Sequence, residues 1–306
     1  MTKLDNSDIM EIVFQVAESQ DLYYKDFSPL CHYTKGIGVN GILQSKYLRA
    51  NHVSNLNDLS EIIRAYKIFF EIFENIKSEN EIISKLIENI KVELLIKIKQ
   101  KEYPEIFIVS FSKNIDDLFL WRSYTSFNDA YALIFTKAFI AEYGANEGAE
   151  LLHCIYKESE QYLILNQVTN LFITKIENIQ ESELTLIKEK FFQLIHIFVP
   201  FIKNPQFEAE NEVRLVLRNP HNHDSENRII MGLNSNYFYK YVNLPIFRNL
   251  PNVEYEHAIE EIIVGPNSRS SDENHIFKKN LDALINQNIG SILKGIRDTK
   301  FNTLKF

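Results

Sequence analysis

Three stretches of the chain carry side chains suited to chemistry. Glu210-Asn211-Glu212-Val213-Arg214 sets two carboxylates and a guanidinium at alternate positions, and alternate residues of an extended chain share a face. Turned toward a pocket, one carboxylate stabilises a developing cation while the arginine holds the other in place. Turned toward water, the same residues form surface ion pairs of little worth. His32, between Cys31 and Tyr33, offers a neutral imidazole to a ligand hydroxyl or serves as a packed structural histidine. Leu120-Trp121-Arg122-Ser123-Tyr124 holds the single tryptophan. On a helical turn Trp121 and Tyr124 face one way, giving either core packing or a wall on which a planar ligand ring stacks against Tyr124.

Other signatures fail. His221-Asn222-His223-Asp224 sits in a turn-rich loop with no further ligand at a fixed spacing, so it is not taken as a metal site. There is no G-x-S-x-G elbow, phosphate-binding G-x-x-x-x-G-K-[ST] or H-E-x-x-H. Cys31 and Cys154 lie in no Cys/His cluster, which predicts two reduced, buried thiols.

The elements that must position these residues follow from hydrophobic period. Ile9, Ile12, Val13 and Val16 predict a first helix, with Ser7 as its cap. Leu30 to Thr34 reads as a strand, Gly41 to Tyr47 as a helix, and Leu48-Arg49-Ala50 as a short extended element. Two amphipathic helices, broken near Ser78 to Asn80, fill about 58–99. Glu105 to Ser112, Asp129 to Thr136 and Leu151 to Tyr156 are strand-like by composition. Helical spacing returns at about 166–203. Glu212 to Arg218 alternates, with one face predicted to be core. Further strands are expected at Arg228 to Gly232, Phe238 to Val242, Ala258 to Val264 and Gly290 to Ile296, with a helix at Asp272 to Asn286. Strands gathered around two helical insertions point to one α+β domain over 1–306.

With 45% hydrophobic and 24% charged residues in 306, the chain is globular rather than disordered or fibrous. A net charge of −8 gives no general pull toward nucleic acid or anionic membrane. The most apolar stretch, Phe191 to Ile202, falls short of the ~20 residues a bilayer span needs. The N-terminus lacks the order of a secretion signal, so a cytoplasmic location and no membrane partner are expected.

Read in order, the segments resemble a bacterial family known as domain of unknown function 2971. The resemblance rests on Cys31-His32-Tyr33-Thr34, Leu48-Arg49-Ala50-Asn51 with Asn57-Asp58, Val109-Ser110-Phe111-Ser112, Leu118 to Tyr124, Phe201 to Pro205, Glu210 to Leu215, and Ile262 to Pro266. Two positions depart from the pattern: Ala209 stands where it has an aromatic residue, and Ala130 where it favours glycine.

That family is similar, as a class, to ADP-ribosyltransferases of the histidine, tyrosine, glutamate type. The likeness implies a split antiparallel or mixed sheet of ADP-ribosyltransferase-like type, and NAD as substrate with no metal. His32 would then hold NAD hydroxyls, Tyr124 would stack on nicotinamide, and Glu212 would stabilise the ribosyl cation. Tyr33 and Tyr131 compete for the tyrosine role. Tyr33, Trp121 and Glu210 are further candidate contacts, and Arg49 or Arg214 would meet the pyrophosphate. The residue types suit the chemistry, since splitting a glycosidic bond through an oxocarbenium-like state needs a carboxylate and an aromatic wall. The setting implied is a toxin or phage-defence effector. The acceptor stays open among protein, nucleic acid and small molecule, and the amphipathic insertions suit a homo-oligomer or a lid. Two rival readings stand beside this one: a non-catalytic binding or sensor protein on the same fold, and a metal-dependent nuclease of a defence system.

Overall fold

A computed structural model describes residues 4–25, 28–136, 139, 149–176, 179–218, 229–234, 237–246 and 258–301. Most elements follow the predicted periods; among the departures, the helical stretch expected from about 166 begins at Glu158, and the strand expected at Leu151 to Tyr156 runs Ala149–His153. Helix α1 (Asn6–Ser19) buries Ile9, Ile12, Val13 and Val16, but its cap is Asp5 rather than Ser7. The Asp5 carboxylate accepts from the amides of Ser7 and Asp8, and Asp8 reciprocates, so an acid two residues earlier outcompetes the hydroxyl. Strand β1 (Leu30–Thr34) leads into α2 (Gly36–Ser45), which begins well before the expected Gly41. Gly36 and Gly38 are there for closeness rather than as breakers. A Cβ on Gly36 would lie 2.8 Å from Asp129 Oδ1, and one on Gly38 would lie 2.0 Å from Thr34 Oγ1.

Next come β2 (Tyr47–His52), α3 (Ser60–Asn75) and α4 (Glu81–Gln100), the last capped by Asn80. β3 (Ile106–Ser112), α5 (Leu118–Tyr124), β4 (Tyr131–Phe135) and β5 (Ala149–His153) follow. After α6 (Glu158–Lys175) and α7 (Leu184–Phe198) the chain enters β6 (Glu212–Arg218), β7 (Ile230–Asn234), β8 (Tyr237–Pro245) and β9 (Ile259–Val264). It finishes with α8 (Ser271–Ile289) and β10 (Ile296–Asp298). The last strand starts only at Ile296, the final residue of the predicted Gly290 to Ile296, because Gly290 and Gly295 both take positive φ and turn the chain before it. The loop from Asn219 to Asn227, with His221, His223 and Asp224, lies outside the described residues.

The chain divides into two compact units. The first comprises Met1–Tyr23, Val53–Ile106 and Leu152–Glu208, so both predicted helical insertions fall in it together with α1. Its helices bury their apolar faces on one another around Phe191, whose ring meets Phe69, Phe73, Phe172 and Phe192 at 5.0–5.7 Å. Gln161, fully buried, donates to the carbonyls of Ile155, Tyr156 and Lys203 and pins the segment leading toward β6.

The second unit comprises Tyr24–His52, Phe107–Leu151 and Ala209–Phe306 and holds the sheet. The strand order is β10-β9-β4-β1-β3-β2-β8-β7, with β6 joining β3 and β5 off this row. Along this row the neighbouring strands pair antiparallel except for the parallel β9 and β10, so the class is α+β with a mostly antiparallel sheet. Strands β1 and β4 pair along their whole length, whereas β1 and β3 pair only at Cys31 and Ser112. One core contains Leu30, Leu133, Phe135, Val213 and Leu215, covered by Val39 and Leu43 of α2 and Leu281 and Ile285 of α8. A smaller cluster joins Cys31, Tyr33, Trp121, Ala132 and Ile263. Glu212 through Leu217 are all buried, which corrects the expectation of one core face for β6.

Candidate functional site

Where β1 and β3 part, a small cleft of about 100 Å³ opens within the second unit. Strand β1 contributes Cys31, His32 and Tyr33, and β3 contributes Ser110, Phe111 and Ser112. Helix α5 adds Leu120 and Tyr124, and Glu210 and Glu212 complete the wall. The volume is below the ~300–1,000 Å³ typical of small-molecule sites.

His32 Nδ1 stands 3.0 Å from the Ser110 carbonyl oxygen, which assigns the ring proton to Nδ1 and leaves Nε2 as an acceptor. Burial lowers the imidazole pKa, so the ring is neutral. The Cys31 thiol is pushed up by burial and stays protonated. Tyr33 lines the cleft, but its hydroxyl is committed: it donates to the Asn114 carbonyl at 2.8 Å and accepts from the Asp117 amide at 2.9 Å.

Glu210 and Glu212 do not sit on one regular strand as their spacing suggested. Glu210 closes a 3₁₀ segment (Pro205–Glu210), Asn211 takes a left-handed φ of 45°, and β6 starts at Glu212. Asparagine tolerates this conformation better than most residues. The kink is clamped by its neighbours: Ser112 Oγ donates to the Glu210 carbonyl at 2.7 Å, and Asn114 Nδ2 donates to the Ala209 carbonyl at 3.0 Å. Position 209 thus acts through its backbone here, where the family pattern carries a ring.

Both carboxylates still line the cleft, with different partners. Tyr124 Oη donates to Glu210 Oε1 at 2.5 Å, and burial followed by this carboxylate raises the phenol pKa. Glu212 accepts from Arg214 through two nitrogens, at 2.8 Å and 3.3 Å. Such a fork holds the carboxylate ionised and fixed in direction.

Helix α5 is held from its N-terminal side. Asp117 caps it, and the preceding Asp116, in a left-handed conformation, accepts from Trp121 Nε1 at 2.9 Å, Arg297 Nη1 at 3.0 Å, the Lys300 amide at 3.0 Å and the Thr299 hydroxyl. Burial pushes the Asp116 pKa up, but these donors outweigh it and hold the group below its ordinary value.

Of the residues singled out from sequence, His32, Tyr33, Tyr124, Glu210 and Glu212 meet at the cleft. The other three do not line it. Trp121 is buried edge-on against Tyr33, with ring centres 4.8 Å apart, and so belongs to the core. Arg49 stands exposed on β2, its guanidinium against Tyr239 and Tyr241. Arg214 is buried behind Glu212. Tyr131, the other rival for the tyrosine role, is buried in the sheet core against Phe277. Ser110, Ser112, Asn114 and Asp116 were missed as individual residues. For Ser110, Ser112 and Asp116 the signal was present in the Val109 to Ser112 segment and in the two acids before an apolar helical run, which mark a cap; Asn114 carried none. Among the described residues, no group of three His, Cys, Asp or Glu side chains is placed to hold a metal ion. Nor is any described helix long and apolar enough to cross a membrane.

The class defined by these features is an α+β protein whose mostly antiparallel sheet carries a carboxylate-lined cleft. A family model described as Protein of unknown function (DUF2971) matches residues 120–215, and the chain is similar to that family over this stretch, from α5 through the Glu210 to Arg214 run. No curated protein and no solved structure matches.

Proposed function

We propose that the cleft binds NAD as substrate and that the protein is an ADP-ribosyltransferase-like enzyme. One observation carries the reading: His32, Tyr124 and Glu212, far apart in sequence, line a single cleft. A non-catalytic module would not require that convergence. The polar groups also have suitable states, a neutral imidazole with a free acceptor direction and a carboxylate kept ionised by Arg214.

In the proposed reaction the bond between ribose C1′ and the nicotinamide nitrogen breaks, and its electron pair leaves with the ring, which departs as neutral nicotinamide. Positive charge grows on the ribose, and Glu212 stabilises it from a dry wall where electrostatic effects are strong. Tyr124 supplies a flat surface for the departing ring, its phenol tethered by Glu210. An acceptor nucleophile closes the new bond to C1′ and gives up its proton. Arg49, placed on β2 away from the cleft wall, has no part in this step.

The test is release of nicotinamide from NAD by the purified protein, together with label transfer from NAD to macromolecules. Release that persists undiminished in both Glu212→Gln and His32→Ala removes this cleft as the site.

A further inference from the structure

Arg49 leads to a second surface. Tyr237, Tyr239 and Tyr241 alternate along β8 and share one face of the sheet. Their ring centres stand 6.4 Å apart between Tyr237 and Tyr239, and 5.5 Å apart between Tyr239 and Tyr241. The Arg49 guanidinium carbon lies 4.8 Å over the Tyr241 ring, and its Nη1 donates to Tyr239 Oη at 3.0 Å. On the adjoining strand, Gly232 pairs with Tyr239, and a Cβ there would fall 2.4 Å from the Tyr239 ring. The missing side chain lets that ring lie down against the β7 backbone.

The two faces of these strands differ. Leu48, Ala50, Val242 and Leu244 are buried in the core on one side. On the other, Arg49 and Tyr237 are exposed, while Tyr239, Tyr241, Asn51 and Asn243 are half-buried. A face built to receive a helix would carry aliphatic side chains as its opposite does. This one carries flat rings in series, a planar cation and amide groups.

We propose that this face binds single-stranded nucleic acid. A row of rings suits a polymer that presents a flat π-face at each repeat, and stacking of that kind is tolerant of sequence. Arg49 adds a cation that can meet a phosphate or stack on a base, and it is the complement to an anionic backbone. The net charge of −8 opposes any polyanion, so stacking has to carry the affinity. The salt dependence is therefore shallow: with one arginine engaged, the slope of log K against log salt is about −0.7, the value per phosphate for single strands. The inference does not depend on NAD cleavage.

Fluorescence anisotropy of the full chain with a labelled oligothymidylate of about fifteen residues, near the upper site size of a single stacking domain, tests it. The expected result is saturable binding that a duplex of the same length does not show. Tyr239→Ala and Tyr241→Ala should each weaken it roughly 5- to 150-fold, from the range measured for base–aromatic stacking, while Tyr239→Phe and Tyr241→Phe retain it. Arg49→Gln, at an exposed position, should weaken binding and flatten the salt slope. Should the alanine variants fail to fold, the phenylalanine and Arg49 variants decide the matter. The proposal is overturned by no saturable binding to the wild-type chain, by Arg49→Gln binding as wild type does, or by a slope of about −4 or steeper, which would place several phosphates elsewhere. Binding of a neutral oligosaccharide or a protein to these tyrosines in place of the oligonucleotide overturns it as well.

Discussion

Asp116 and Glu212 are both carboxylates buried to 5% exposure or less, and both accept from an arginine. They differ in what surrounds them. Asp116 draws every donor that the structure shows from the protein itself: the indole of Trp121, the Arg297 guanidinium, the Thr299 hydroxyl and the Lys300 amide. It ties the final strand to the start of α5. Glu212 is gripped from behind by Arg214 and lines the cleft in front. Burial and ion pairing, taken alone, therefore do not separate a structural acid from a candidate catalytic one. The open space beside the second acid does.

The contrast can be broken from either side. The largest effect is expected at Glu212, where Gln keeps an oxygen for Arg214 but removes the charge. Nicotinamide release should then fall roughly 100- to 1,000-fold, as when one electrostatic partner of a transition state is lost. A variant with undiminished release would put Glu212 in the same structural class as Asp116.

At Asp116 the expected effect is on folding. Asp116→Ala strands the buried indole N–H and Thr299 hydroxyl and should cost about 2–4 kcal/mol in denaturant titration, Arg297 contributing less because it is part-exposed. A loss under about 1 kcal/mol would show that the hub is dispensable.

Tyr124→Phe sharpens the picture between these extremes. It removes the hydrogen bond to Glu210 and keeps the ring. A drop of about 1.5 kcal/mol in stability is expected, the low end for a bond to a charged group at a part-exposed site. The KM for NAD should hardly change, while Tyr124→Ala should raise it. Equal KM values for the two variants would argue against a stacking wall.

The smallest effect is the pH dependence at His32. Its folded pKa lies below the ordinary 6.5, so as pH falls the unfolded chain takes up a proton first. The stability present above pH 6.5 is therefore lost as pH falls through the lowered folded value. Thermal midpoints across this window should decline less steeply in His32→Gln than in the wild type, and parallel curves would show that the imidazole is not held neutral.

The local pattern of the chain determined much of this molecule. Apolar residues at helical spacing placed α1, α3, α4, α7 and α8, and compact apolar runs placed β1, β3, β4 and β9, because side-chain period follows directly from backbone geometry. Residue types nominated His32, Tyr124, Glu210 and Glu212. What spacing could not supply was the set of partners. An alternating Glu-x-Glu-x-Arg run read as one strand face, but the left-handed Asn211 split it, and only β3, through Ser112 and Asn114, explains why that kink is stable. Trp121 and Tyr124 read as a pair on one side of a turn. Packing against Tyr33 drew the indole into the core, and the phenol went to Glu210. Arg49 read as a pyrophosphate ligand from its charge, yet strand pairing set it beside β8. In each case the deciding contact joins residues some tens to nearly two hundred positions apart, and such contacts are fixed by which strands pair rather than by any pattern along the chain.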